Sequence, residues 1–151
     1  MAVQTSTGVS FSVVAETPAT PDVAGFEALT FVEVGEVTEV PEYGASASVV
    51  EHMRLATGVV EKYKGFINFG SMSVSLGRDV DDAGQTLLKA AVTGAGKNVE
   101  HSFKIGFPDG SSEYATGKVF SYTTNPGSAN SIVGSTANIE INTEVVEAPA
   151  P

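Results

Sequence analysis

The sequence predicts a mainly β protein: a β-sandwich or barrel with one flanking α-helix at about residues 80–93 and a long inter-strand loop or hairpin at about 42–65. Three observations point there. The stretch "STANIEINTEVV", residues 135–146, alternates with a period of two, the signature of a half-buried strand. Short β-prone runs are separated by Pro, Gly, Asn and Asp clusters at turn spacing. One segment alone has the composition and caps of a helix. With 151 residues, 42% of them hydrophobic, the chain suits one globular domain with a sizeable core. We take it as a single domain over 1–151, with an N-terminal arm at 1–24 and a short C-terminal tail at 147–151.

In chain order, "GVSFSVVA" (8–15) reads as a short strand and "ETPATPDVAG" (16–25) as a turn-rich linker with two prolines. "ALTFVEVGEVTEV" (28–40) is a long β-prone run whose parity breaks near Gly35, the expected bulge or bend. Residues 42–65 mix small, charged and apolar side chains without one period, which reads as an extended hairpin or long loop. A loop of that length inside a compact domain is usually functional or held by a partner. In "FINFGSMSVSL" (66–76), Ile67 and Phe69 share one parity and Met72, Val74 and Leu76 the other, so Gly70 is expected to mark a bulge.

The helical segment "RDVDDAGQTLLKAAVTGAG" opens with aspartates and closes with glycines. Asp79 or Asp81 is expected to cap its free N–H groups, and Gly94 or Gly96 to take the left-handed position after it. Leu87 and Leu88 are expected to pack inward, with the helix on the outer side of the sheet. Strands at 99–107 and 113–124 flank the turn "PDGSS", with Phe103, Ile105 and Phe107 facing in. The last strand buries Ala137, Ile139, Ile141, Thr143 and Val145, and turns Thr136, Asn138, Glu140, Asn142 and Glu144 the other way. The tail "EAPAP" reads as disordered or loosely docked.

Charge and composition narrow the function. The net charge is −10, and eight acidic residues precede the first cation, Arg54. This argues against gripping nucleic acid through its phosphates, which needs Lys and Arg. The absence of cysteine excludes disulfides, thiolate metal sites and cysteine nucleophiles. No segment reaches the roughly 18 apolar residues of a membrane helix. "MAVQTSTGVSF" lacks the basic and apolar regions of a secretory signal, so the expectation is synthesis in a cytoplasm without cleaved-signal export.

Catalytic and metal motifs are incomplete. His52 and His101 lie far apart without a partner motif. "DVDDAG" (79–84) has Ala83 and Ala90 where a calcium loop needs oxygen ligands, so helix capping explains its aspartates better. "GAGK" (94–97) has Ala91 and Asn98 where a phosphate loop needs Gly and Ser or Thr. No enzyme activity, cofactor or metal is expected. The strand carboxylates Glu33, Glu36, Glu39, Glu140 and Glu144 either coat a solvated sheet face or line a channel or interface, and periodicity does not separate the two.

The order of elements resembles the tail tube proteins of long-tailed, non-contractile bacteriophages, over about Gly25 to Val145. The stretches carrying it are "FEALTFVEVGEVTEVPEYG", "EHMRLATGVVEKYKGFINFG", "GRDVDDAGQTLLKAA" with its Gly-Gln, "FKIGFPDGSSEYATGKVFSY" and the closing amphipathic strand. The resemblance implies six-subunit rings stacked into a hollow tube in a virion tail. Inner strands would close a continuous barrel around a lumen that DNA crosses without specific binding. It implies as partners other copies of the chain, a tape-measure protein, and tail terminator and distal tail proteins, with no membrane. It makes Glu33, Glu36, Glu39, Glu140, Asn142 and Glu144 candidates for lining the lumen. Val49, Val50, His52, Met53, Arg54, Leu55, Lys62 and Lys64 become candidates for contacts between rings. An acidic wall suits DNA that must slide without sticking. The alternatives are the inner tube of a contractile tail or secretion needle, and a monomeric β-sandwich binding module. The module class usually shows an export signal and an aromatic platform, and the chain has no Trp.

Overall fold

The computed structural model describes residues 3–94 and 97–151. The elements run β1 (Ser10–Val14), α1 (Val23–Glu27), β2 (Val32–Glu33), β3 (Val37–Glu39), β4 (Ser46–Met53), β5 (Val60–Asn68), β6 (Ser71–Gly77), α2 (Ala83–Thr93), β7 (His101–Gly106), β8 (Ser112–Asn125), β9 (Gly134–Ile141) and β10 (Val146–Ala148). Eight strands form one antiparallel sheet in the order β2-β1-β7-β8-β9-β6-β3, with β10 beside the start of β8. β4 and β5 form a separate two-stranded sheet.

Strand twist accumulates until the large sheet curls into a half-barrel. The curl brings its edges together: only Val34, Gly35 and Glu36 connect β2 at one edge to β3 at the other. Four Cα steps span roughly 14 Å at most, so the edges lie no further apart than that.

Register explains the core. Phe11 lies opposite Ile105, Val13 opposite Phe103, Met72 opposite Ile139 and Val74 opposite Ala137. Because successive side chains alternate across a strand, these pairs all reach the concave side together. There they join Val34, Leu76, Ala115, Val119, Leu88 and Ala91 in one buried cluster. Phe11 and Phe103 stack with ring centroids 5.9 Å apart.

Helix α2 closes this concave side. Asp82, with extended backbone, is its N-cap and accepts from Gln85 N at 2.9 Å. The expected caps Asp79 and Asp81 sit three residues and one residue too early, because the Asp82 carboxylate also accepts from Gly35 N at 3.1 Å. Gly94 ends the helix with an extended backbone instead of a left-handed one, and the alternative, Gly96, lies outside the described residues. Leu88 is buried in the core and Leu87 packs against it. The helix therefore lies on the core side of the sheet and not on its outer side.

Four other expectations change. The long run at 28–40 is two short strands at opposite sheet edges, since the chain crosses from β2 to β3 at Gly35. Gly70 breaks the chain between β5 and β6; parity switches there because two different sheets meet. The "linker" at 16–25 contains the start of α1, capped by Asp22 through Gly25 N at 2.8 Å. The closing strand stops at Ile141. Thr143 leaves the ladder to accept from Thr116 N at 2.9 Å, and the chain resumes as β10. The termini are tied in as well. β1, within the expected N-terminal arm, pairs with both β2 and β7, and Ala148 of the tail is buried beside α1.

Candidate functional site

Two surfaces stand out: a hairpin with no cover from the described residues, and a half of the convex sheet face on which none of them packs.

The hairpin is β4–β5, which confirms an extended element over 42–65 and prolongs it to Asn68. Gly58, at φ 65°, closes its tip, with Gly58 N donating to Arg54 O at 3.0 Å. An isolated two-stranded hairpin is marginal in water, and this one carries unusual apolar exposure. Leu55 is fully exposed, Phe66 is 91% exposed, and Val49, Val50, Met53, Val59, Tyr63 and Ile67 are each more than half exposed. Scattered exposed apolar residues are normal, but a contiguous group marks an interaction surface.

Each face of the hairpin has its own chemistry. Val50 lies opposite Tyr63 and His52 opposite Glu61; Arg54 shares their parity. Arg54 Nη1 pairs with Glu61 Oε1 at 2.8 Å, and the Tyr63 hydroxyl donates to Glu61 Oε2 at 2.8 Å. Arg54 first, then Tyr63, holds the Glu61 carboxyl below its ordinary pKa. The other face presents Val49 opposite Lys64, Glu51 opposite Lys62, and Met53 opposite Val60.

The base of the hairpin is well anchored. Gly44 and Gly70 both have positive φ, and a Cβ on Gly70 would sit 2.4 Å from Gly44 O. Gly70 O accepts from Ile141 N at 2.9 Å. Tyr43 packs on the core and donates its hydroxyl to Glu113. Burial, and then that bond, raise the Tyr43 pKa well above its ordinary value. The body thus holds the hairpin at its root and leaves its length free.

The convex face divides in two. Over β1, β7 and the first half of β8, the segment around α1 covers it: Phe26 stacks on Tyr114 at 5.2 Å, beside Phe31, Val146 and Ala148. Over the second half of β8, β9, β6 and β3 there is no such layer. The rows there are Lys118–Glu140–Ser71, Ser121–Asn138–Ser73 and Thr123–Thr136–Ser75. Asn138 is the bridge: it accepts from Ser73 Oγ and donates to Ser121 Oγ at 2.8 Å. The result is a wall mainly of short hydroxyl and amide groups with few charges, interrupted by Phe120, which is 64% exposed at the irregularity in β8.

The six lumen-lining candidates do not converge on one patch. Glu140 belongs to the bare half, and Glu39 lies at its edge, opposite Ser75. Glu33 is exposed at the other edge of the sheet. Glu36 is in the crossover, at φ 60°. Asn142 donates to Glu100 Oε1 at 2.9 Å, and Glu144 stands beside Pro18, Pro21 and Phe26. The eight inter-ring candidates all belong to the hairpin and are all exposed. Sequence reading missed Val59, Phe66 and Ile67 on the same element, although the Thr57-Gly58 pair between two apolar runs was a usable turn signal. It also missed the hydroxyl rows of β6 and β8, which look like ordinary solvated positions until the register aligns them. Of the two histidines, His52 is on the exposed hairpin, whereas His101 is buried in β7 with Nδ1 3.0 Å from Val99 O.

No sequence-family model matches the chain, and no curated protein matches it by sequence. Solved structures do match its fold. A chain from the tail of an empty gene transfer agent particle, determined with C6 symmetry, superposes with a TM-score of 0.64 at 13% identity, over 95% of this chain and 97% of that one. The SPP1 tail tube matches with a TM-score of 0.63 at 12% identity, over 95% and 78%. A chain from the six-fold symmetrised baseplate of the anti-feeding prophage matches with a TM-score of 0.65 at 7% identity, over 97% and 96%. The chain therefore has the fold of tail tube proteins.

Proposed function

We propose that this chain is the building block of a phage-type tail tube: copies form rings, six per ring, that stack into a hollow conduit for DNA. The observation that carries this is the fold match, over 95% of this chain in each case, to a gene transfer agent tail chain and to the SPP1 tail tube. Two features of the molecule support it. The hairpin exposes apolar residues that the chain itself never covers, which suits a subunit that becomes complete only in an assembly. The second is the short β3 strand at the sheet edge: it pairs only with Leu76 and Ser75, leaving the start of β6 with free N–H and C=O groups. An open edge of that kind is a liability in a monomer and a joint in a ring, where the next copy pairs with it.

In this reading the bare convex half faces the lumen. Asn138 bonds to Ser73 and Ser121 there, and Glu140 and Glu39, against the one cation Lys118 in these rows, present no dense cation patch to hold phosphates. The hairpin bridges to a neighbouring ring through Val49, Val50, His52, Met53, Arg54, Leu55, Lys62 and Lys64. A tape-measure protein would fill the lumen before ejection, and terminator and distal tail proteins would close the ends.

A second reading, an inner tube of a contractile system, is favoured by the match to the anti-feeding prophage chain, which is as good as that to the SPP1 tube. The monomeric binding module is disfavoured by the uncovered hairpin.

Sedimentation velocity over a concentration series tests the assembly claim. The wild-type chain should form large species, and Met53→Asp with Leu55→Asp should hold it as a folded monomer. A wild type that stays monomeric throughout the series would remove the basis for the proposal.

A further inference from the structure

The tube reading leaves open what receives the free end of the hairpin, and the charge distribution singles out one surface. Three of the eight Lys and Arg residues, Arg54, Lys62 and Lys64, lie on the hairpin, against only Glu51 and Glu61. The chain as a whole carries −10. The hairpin is thus a cationic, apolar finger on an acidic body. β5 alone extends nine residues, about 30 Å, from its root at Asn68 to Val60, so the tip stands far from its own body.

A cleft of about 390 Å³ lies between the α1 segment and the turn that links β9 to β10. Pro18, Pro21, Phe26 and Val146 give it an apolar part, beside the hydroxyls of Thr17, Thr116 and Thr143. Glu100 and Glu144 stand at its rim, and no cation lines it. Neither carboxylate has an ion-pair partner among the described residues, where Arg54–Glu61 is the pair present. Four other clefts compete. The one beside α2 is lined by Arg78 and Lys89 and the one at the C-terminus by Lys104, which would repel Arg54. The one beside β3 offers a single carboxylate, Glu39, and in the one beside β10 the Glu113 carboxylate already accepts from Tyr43.

We infer that the hairpin tip of one copy seats in this cleft on a second copy, with Leu55 against Pro18 and Phe26 and Arg54 facing Glu100 and Glu144. The inference rests on the tube reading, and specifies its receiving site. Arg54 can serve there without giving up its own contact: only Nη1 is bonded to Glu61, and a guanidinium has five N–H donors. Tip and cleft are different surfaces of the same chain, so the contact is heterologous, and it propagates from copy to copy as a ring or stack requires. Rim charges add steering and register more than affinity, so association by this route weakens with added salt.

The chain has no cysteine, which makes a direct test clean. Leu55→Cys combined with Thr17→Cys, at the cleft mouth, should give a ladder of disulfide-linked multimers on mild oxidation. Leu55→Cys combined with Ser73→Cys, on the bare convex face, should give none. Arg54→Glu should slow and weaken assembly, and adding Glu100→Lys and Glu144→Lys to it should restore it. If wild-type tubes form but the Leu55/Thr17 pair fails to cross-link while Leu55/Ser73 succeeds, the hairpin docks elsewhere and the inference falls while the tube reading stands. If no variant and no wild-type chain associates, both fall.

Discussion

The side chain of Gln85 holds the fold closed, and its removal is the sharpest test of the half-barrel. It is 3% exposed and makes four hydrogen bonds. Nε2 donates to Gly35 O at 3.0 Å and to Gly77 O at 2.8 Å; Oε1 accepts from Asp79 N at 2.9 Å and from the Tyr122 hydroxyl at 3.2 Å. One amide therefore joins α2 to the β2–β3 crossover, to the end of β6 and to β8. Gln85→Ala leaves all four partners unpaired. Asp79 and Tyr122 border an open cleft, where water replaces the lost bonds. Gly35 and Gly77 are half-buried, and at about 1–3 kcal/mol for each of their two unsatisfied carbonyls the loss is roughly 2–6 kcal/mol. That is a large part of a typical domain stability of about 5–15 kcal/mol. Urea unfolding at a protein concentration too low for assembly measures it: the midpoint should fall with the slope unchanged. Gln85→Glu should be worse at neutral pH, where a carboxylate would face two carbonyl oxygens. It should recover in part on acidification, when the neutral acid donates one bond. A Gln85→Ala midpoint within about 0.5 kcal/mol of wild type would refute the closure by this network.

Other expectations follow from single residues. Leu88→Ala, at a fully buried site, should cost about 2–5 kcal/mol and lower the melting midpoint. An unchanged melt would contradict its place in the core. Gly70→Ala combines a positive φ with a contact 2.4 Å from Gly44 O, so it should misplace the hairpin root and reduce assembly more than monomer stability. Equal losses in both would count against that. Burial first, and then the bond to Glu113, raise the Tyr43 pKa, so the stability this group contributes is complete below the ordinary tyrosine value of 10.0 and falls progressively as pH rises from there toward the raised value. Tyr43→Phe should flatten the alkaline fall in stability, and an unaltered alkaline limb would show that another group drives it. Hairpin amides over 46–68 should exchange fast in the monomer and slowly in the tube; equal rates would mean that the hairpin is not a contact.

What the sequence disclosed, and what it hid, follows from the range of the interactions involved. Period-two burial of Ala137, Ile139 and Ile141 was legible because it depends on one strand alone. The Pro108–Ser112 turn was legible because Asp109 bonds locally to Ser111 and Gly110 takes positive φ. The cap of α2 was misread by one to three residues because Asp82 is chosen by a contact with Gly35, 47 residues away. The Gly-Gln pair of the helix had no visible role in sequence. In the structure a Cβ on Gly84 would lie 2.6 Å from Glu33 O, so glycine allows the close approach that lets Gln85 reach across. Candidate surfaces behaved likewise. The hairpin's exposure was readable in part, since Val49, Val50, Met53 and Leu55 had no apolar face to join. The bare convex half was not, because Ser71, Ser73, Ser121 and Asn138 form a surface only once β6, β8 and β9 are in register. Grouping Glu33 and Glu144 with Glu140 treated acidic strand residues as one face, whereas the curl spreads them to different sides.

Electron microscopy of the purified, concentrated chain tests the central claim most directly. The account predicts stacked rings with an open lumen, in which the β6–β9 half of the convex face lines the channel and the β4–β5 hairpin crosses to a neighbouring copy. Particles that remain single subunits at high concentration, or an assembly in which the hairpin is bare and the hydroxyl rows face outward, would contradict it.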